Sequence, residues 1–64
     1  MIATKVKYRG KLDLYLYKSE YKAGVTTLSL CHRDGEFALE CGVNDVVHTG
    51  EEVYISHVYG EEAK

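Results

Sequence analysis

The sequence has no proline and no tryptophan, only one methionine and one phenylalanine, and two cysteines in 64 residues. Nor is there an apolar run long enough to span a bilayer, and Met1-Ile2-Ala3-Thr4-Lys5 opens onto no signal-peptide core. A cytoplasmic chain with reduced thiols and no membrane partner is therefore expected. Internal repeats, low-complexity stretches and linkers are also missing, so residues 1–64 read as one small domain. The cysteines make no C-x-x-C and His32, His48 and His57 make no H-x₃₋₅-H, which leaves no metal motif. No G-x-S-x-G, Walker loop or histidine–carboxylate spacing marks a catalytic centre. No cofactor, metal site or catalytic residue is expected. The one enzymatic route left open is a nuclease-like site assembled across an oligomer.

Small size sets the next constraint. A chain of this length buries only about 60% of its unfolded surface, and the hydrophobic gain then roughly balances the entropy of ordering. Without a disulfide or a metal, self-association is the expected way to complete the core, most simply as a homodimer.

What the sequence does have is alternation. Ile2, Val6 and Tyr8 share one parity, and Ala3, Lys5, Lys7 and Arg9 the other. Leu12, Leu14 and Leu16 alternate with Lys11, Asp13, Tyr15 and Tyr17, the pattern of a half-buried strand with an aromatic outer face. A three-residue Arg9-Gly10-Lys11 loop pairs Tyr8 with Leu12 and Val6 with Leu14, keeping the apolar residues together. Ser19 to Gly24 reads as a connector, with one helical turn capped by Ser19 as an option. Asp34-Gly35 between Val25–Arg33 and Glu36–Val43 predicts a hairpin that pairs Leu30 with Leu39, Leu28 with Cys41, Ser29 with Glu40 and Cys31 with Ala38. That register places Cys31 and Cys41 on opposite faces, Cys41 as a small core residue and Cys31 as a surface thiol, with no disulfide between them. Val46-Val47-His48 forms a short extended piece closed by Thr49-Gly50. Glu52 to Tyr59 is the last strand, and Gly60 to Lys64 a frayed tail. The expected fold is all-β: a five-stranded antiparallel meander or partly open barrel.

Charge is divided along the chain. Residues 1–33 carry Lys5, Lys7, Arg9, Lys11, Lys18, Lys22 and Arg33 against Asp13 and Glu20, a net +5. Residues 34–64 carry Lys64 against Asp34, Glu36, Glu40, Asp45, Glu51, Glu52, Glu61 and Glu62, a net −7. Such polarity points to a charged partner, or to halves that attract each other within or between subunits. The candidate binding face is basic and aromatic: Lys5, Lys7, Arg9, Tyr15, Tyr17, Lys18, Tyr21 and Lys22. Rings for base stacking beside cations for phosphates suit single-stranded nucleic acid, and exposed tyrosines equally suit a protein interface. The overall acidity, with an isoelectric point near 5.8, favours the protein. Glu36, Glu40, Asp45, Glu51 and Glu52, with Glu61 and Glu62, form a candidate acidic patch that mimics phosphates or docks on a basic groove.

Gly35-Glu36-Phe37-Ala38-Leu39-Glu40-Cys41 and Gly50-Glu51-Glu52-Val53-Tyr54-Ile55-Ser56, preceded by the alternating leucines from Leu12 to Tyr17, resemble a group of small uncharacterised accessory proteins of phages and conjugative elements. The resemblance implies a mobile-element protein in the cytoplasm of a bacterial host. It further implies action by binding and inhibiting a host protein, in host takeover or counter-defence as an anti-CRISPR does. It carries over no functional residues. The expected function is thus non-enzymatic inhibition of a host protein, and the alternative is a single-stranded nucleic-acid binder using the basic, tyrosine-bearing face.

Overall fold

The structure, a computed structural model, describes residues 1–61. Five strands alternate with short turns: β1 (Ile2–Tyr8), β2 (Leu12–Lys22), β3 (Val25–Cys31), β4 (Phe37–Gly42) and β5 (Val46–Tyr54), with a 3-10 turn over Val43–Asp45. They make one antiparallel sheet in the order β4-β3-β2-β1-β5. The expected all-β, five-stranded antiparallel architecture is what the chain adopts. Strands β1 to β4 follow one another as a meander, whereas β5 returns to the far side and pairs with β1.

The first hairpin has the register that parity demands, with Val6 opposite Leu14 and Tyr8 opposite Leu12. Its turn closes with Lys11 N–H donating to the Tyr8 carbonyl at 3.0 Å. The second hairpin departs from expectation. No helical turn follows Ser19; β2 continues through Lys22, and Ala23-Gly24 alone make the turn, with φ of +53° and +79°. A bulge explains the misreading. Leu16 faces Leu30 and Lys18 faces Ser29, so Tyr17 is an extra residue that breaks the period-two pattern midway along β2. Two positive φ values define the turn type that matches strand twist, yet alanine is a poor residue for the first of them. Ala23→Asn is therefore expected to raise the unfolding free energy by about 0.5–1 kcal/mol, since asparagine tolerates this conformation. Urea unfolding of the variant beside the parent checks this, and an unchanged or lowered midpoint would refute the strained turn.

In the third hairpin Leu30 faces Leu39, Leu28 faces Cys41 and Ser29 faces Glu40, as the sequence predicts. Nearer the turn the register slips. Cys31 faces Phe37 instead of Ala38, because His32 N–H donates to the Glu36 carbonyl and Gly35 N–H to the His32 carbonyl, which lengthens the loop by one residue. The two pieces expected over Val46–His48 and Glu52–Tyr59 are one strand. It holds a wide bulge in which Thr49, Gly50 and Glu51 lie opposite the single residue Lys5. Strand β5 ends at Tyr54, short of the expected Tyr59, because Ile55–Tyr59 leave the ladder to cover the back of the sheet.

Both faces of the sheet are in fact used. One carries Val6, Leu14, Leu28, Leu30 and Val46, all buried, with Tyr8, Leu16, Leu39 and Cys41 packed against them. The other carries Ala3, Cys31 and Ile55, with Tyr15, Tyr17, Val53 and Val58 around them. Each fully buried aliphatic side chain contributes about 1.5–3 kcal/mol, so the first cluster dominates the stability. The second corrects the expected thiol placement: Cys31 is fully buried and Cys41 only half-buried. Both thiols are free, and burial pushes the pKa of each up. The back-face segment is tied at both ends. Met1 and Ile55 exchange two backbone hydrogen bonds of 2.9 Å, and Tyr59 lies parallel to Glu36 at the start of β4. Of the frayed tail expected over residues 60–64, Glu61 is held by Tyr17 and Lys18, while residues 62–64 lie outside the described residues.

Candidate binding surface

Strand pairing brings part of the basic, aromatic set together. Lys5 stands opposite Tyr15, and Lys7 opposite Asp13, on the back face. The cations there are already engaged. Lys7 Nζ lies 2.7 Å from Asp13 Oδ1, and Lys5 Nζ lies 3.9 Å from both Asp13 Oδ2 and Glu51 Oε1. The Lys7 hydrogen bond holds the Asp13 carboxyl below its ordinary pKa, against the opposing pull of desolvation. Arg9 is drawn the other way. Its guanidinium sits 5.5 Å over the Tyr8 ring and 3.7 Å from Asp45 Oδ1, while the Arg9 backbone N–H donates to the Asp45 carbonyl at 2.7 Å. Lys18 reaches Glu61 at 3.4 Å. Three of these pairs, Lys5–Glu51, Arg9–Asp45 and Lys18–Glu61, join the basic half of the chain to the acidic half. The division of charge is thus answered within one chain. Exposed pairs of this kind are each worth about 0.2–1 kcal/mol, so they orient segments more than they hold the fold.

The tyrosines divide in the same way. Tyr15 and Tyr17 are half-buried under the back-face segment, with their rings in the second apolar cluster. Tyr17 Oη donates to Glu61 Oε1 at 2.9 Å. Burial first, and then the Glu61 carboxylate, push the Tyr17 pKa up, while Ser29 pulls slightly the other way. Tyr21 and Lys22 lie apart, near the tip of the long β2–β3 hairpin, where Tyr21 is 76% exposed. The eight candidates therefore do not make one continuous stacking platform.

A raised tyrosine pKa has a testable sign. Folding favours the protonated phenol, so this stabilisation is complete below the free value of 10.0 and is lost as pH rises through the higher folded value. Melting temperature is expected to fall as pH rises above about 10, and Tyr17→Phe, having no proton to lose, is expected to flatten that part of the decline. An equal decline in both proteins would show that Tyr17 is not responsible.

The acidic candidates are distributed over the sheet. Glu36 and Glu40 belong to the β4 edge, Glu51 and Glu52 to the β5 edge, and Asp45 to the 3-10 turn between them. Glu51 and Asp45 are paired; Glu36, Glu40 and Glu52 form no ion pair among the described residues. Among the described residues, no group of three or more histidine, cysteine, aspartate or glutamate side chains is placed to hold a metal ion. No helix among them is long and apolar enough to cross a membrane.

Two surface features escape a residue-by-residue reading of the sequence. Ile2 and Tyr54 face each other across β1 and β5 and are 60% and 65% exposed, an apolar pair at the end of the sheet. Their alternation is visible in the sequence, but not that both stay exposed among the described residues. The second is the outer side of β4, where among the described residues only Tyr59 forms a bridge, opposite Glu36.

Fold and surface together define a single-sheet β domain with two sheet edges, an apolar pair at one end and a basic face partly paired with the chain's own carboxylates. Comparison with protein families, with characterised proteins and with solved structures returns no match.

Proposed function

We propose that this protein works by binding another protein and carries out no chemistry of its own. The observation that carries the reading is the state of the basic face. Lys5, Lys7, Arg9 and Lys18 are engaged by the chain's own carboxylates, whereas Ile2, Tyr21 and Tyr54 stand free in solvent. Nucleic-acid affinity comes mainly from cations that can neutralise phosphates, and here most of them already face acids. Exposed aromatic and aliphatic side chains with a polar surround suit a protein interface. The resemblance to accessory proteins of phages and conjugative elements supports a bacterial host protein, met in the host cytoplasm, as the target, with inhibition as the result. Small size supports a homodimer as the acting form.

Affinity capture from bacterial lysate should return one stoichiometric protein, and Tyr54→Ala or Ile2→Ala should reduce its recovery. Binding to an oligo-dT strand should be weak even at low salt. Tight, steeply salt-dependent oligonucleotide binding, lost on Tyr15→Ala or Tyr17→Ala, would replace this reading with the nucleic-acid one.

A further inference from the structure

We propose that the outer edge of β4 receives an extended, lysine- or arginine-bearing segment of the protein partner, which adds to the sheet as a further strand. This rests on the protein-binding reading above and names the place and the chemistry.

The two edges of the sheet differ in kind. Strand β5 is interrupted by its bulge at Thr49, Gly50 and Glu51, where Thr49 Oγ1 donates to the Lys5 carbonyl at 3.0 Å. A bulge bearing charge is a device that keeps an edge from pairing with another chain. Strand β4 carries neither proline nor lysine; its own bulge, at the uncharged Ala38, lies near its start, and among the described residues its outer side is in use only there. There Phe37 N–H donates to the Tyr59 carbonyl at 2.8 Å and Tyr59 N–H to the Gly35 carbonyl at 3.0 Å. The edge therefore already accepts an extended backbone from within the chain. Beyond Tyr59 the chain turns away, and Glu61 reaches across to Tyr17 and Lys18 on β2. From Ala38 to Gly42 no strand lies on the outer side among the described residues.

Charge selects the occupant. Glu36 and Glu40 are exposed and form no ion pair among the described residues, and exposed Asp34 lies beside them at the turn. A second copy of β4 laid along this edge would bring the same carboxylates together, which is unfavourable. Glu40 and Phe37 stand opposite Ser29 and Cys31 on one face, and Glu36 points to the other, so a strand carrying lysine or arginine on both of its faces meets them with opposite charge while its backbone completes the ladder.

The probe is an acetylated and amidated octapeptide, Lys-Lys-Thr-Thr repeated twice, which presents lysine on both faces of a strand, titrated into the full chain and followed by amide chemical shifts and hydrogen exchange. Binding is expected to shift and protect amides of Ala38–Gly42. It should weaken at least tenfold for the double variant Glu36→Lys with Glu40→Lys, and the same octapeptide with glutamate for lysine should not bind. No binding at millimolar peptide, changes confined to β5, or equal binding of the glutamate peptide would overturn the proposal. So would protection of Ala38–Gly42 that rises with protein concentration alone, because the edge would then be a self-interface. A stoichiometric partner from lysate without peptide binding at β4 would leave the protein-binding reading intact and remove only this site.

Discussion

Leu30→Ala is expected to leave the protein largely unfolded at room temperature. Leu30 is fully buried in the middle of β3, opposite Leu16 on one side and Leu39 on the other, so it ties three strands to one cluster. Truncating a buried leucine costs about 2–5 kcal/mol, and the upper part of that range applies where neighbours cannot collapse into the space. Here the neighbours are held by strand pairing on both sides. The whole stability of a chain this size is about 3–10 kcal/mol, so one side chain is a large share of it. Leu12 is the fitting control, since it belongs to the same alternating run but is nearly half exposed at the end of β2. Leu12→Ala should cost less than about 1 kcal/mol. Urea unfolding followed by circular dichroism measures both, and similar losses for the two variants would overturn the placement of the core.

Gly35→Ala is the second large effect, and it acts on the back face. Gly35 has a φ of +102°, outside what a side-chain-bearing residue adopts without strain, and an added Cβ would stand 2.6 Å from the His57 carbonyl oxygen. That oxygen belongs to backbone, so relief requires moving the Ile55–Tyr59 segment as a whole. Movement there breaks the Phe37–Tyr59 and Tyr59–Gly35 hydrogen bonds and uncovers Cys31. A cost of about 2–4 kcal/mol is expected from strain and lost packing together. Gly24→Ala offers the comparison, because Gly24 also has a positive φ but nothing within 4 Å of a Cβ, and about 1–2 kcal/mol is expected there. Thiol labelling separates the two further. Cys31 should become reactive in folded Gly35→Ala and stay protected in Gly24→Ala. Equal costs and equal protection would show that the contact with His57 does not hold the segment down.

Much of the sheet was legible in the sequence because hairpins are local. Arg9-Gly10 and Asp34-Gly35 are turn signals flanked by alternating residues, and parity alone pairs Val6 with Leu14 and Leu30 with Leu39. Where a bulge intervenes, the same rule misleads. Tyr17 adds one residue to β2, so the pattern past it looks broken and Ser19–Gly24 reads as a connector. Thr49-Gly50 reads as a strand end for the same reason, although the ladder with β1 resumes at Glu52. A bulge is stabilised by the opposite strand, and sequence around the bulged residue records little of that.

The candidate surface shows the same limit. Parity correctly put Lys5, Lys7, Tyr15 and Tyr17 on one side of the sheet and away from the leucine core. Whether that side meets water depends on where residues 55–61 travel, which is a long-range matter. The sequence by itself determined an all-β domain, two hairpin registers over most of their length, and two thiols on opposite faces. Only the tertiary structure decided that β5 returns to β1, that the back face is covered, and that the chain's acids neutralise its own basic face. Alternation is a property of neighbours two residues apart; the contacts of Thr49, Ile55 and Glu61 join residues more than forty positions apart, and only packing brings them together.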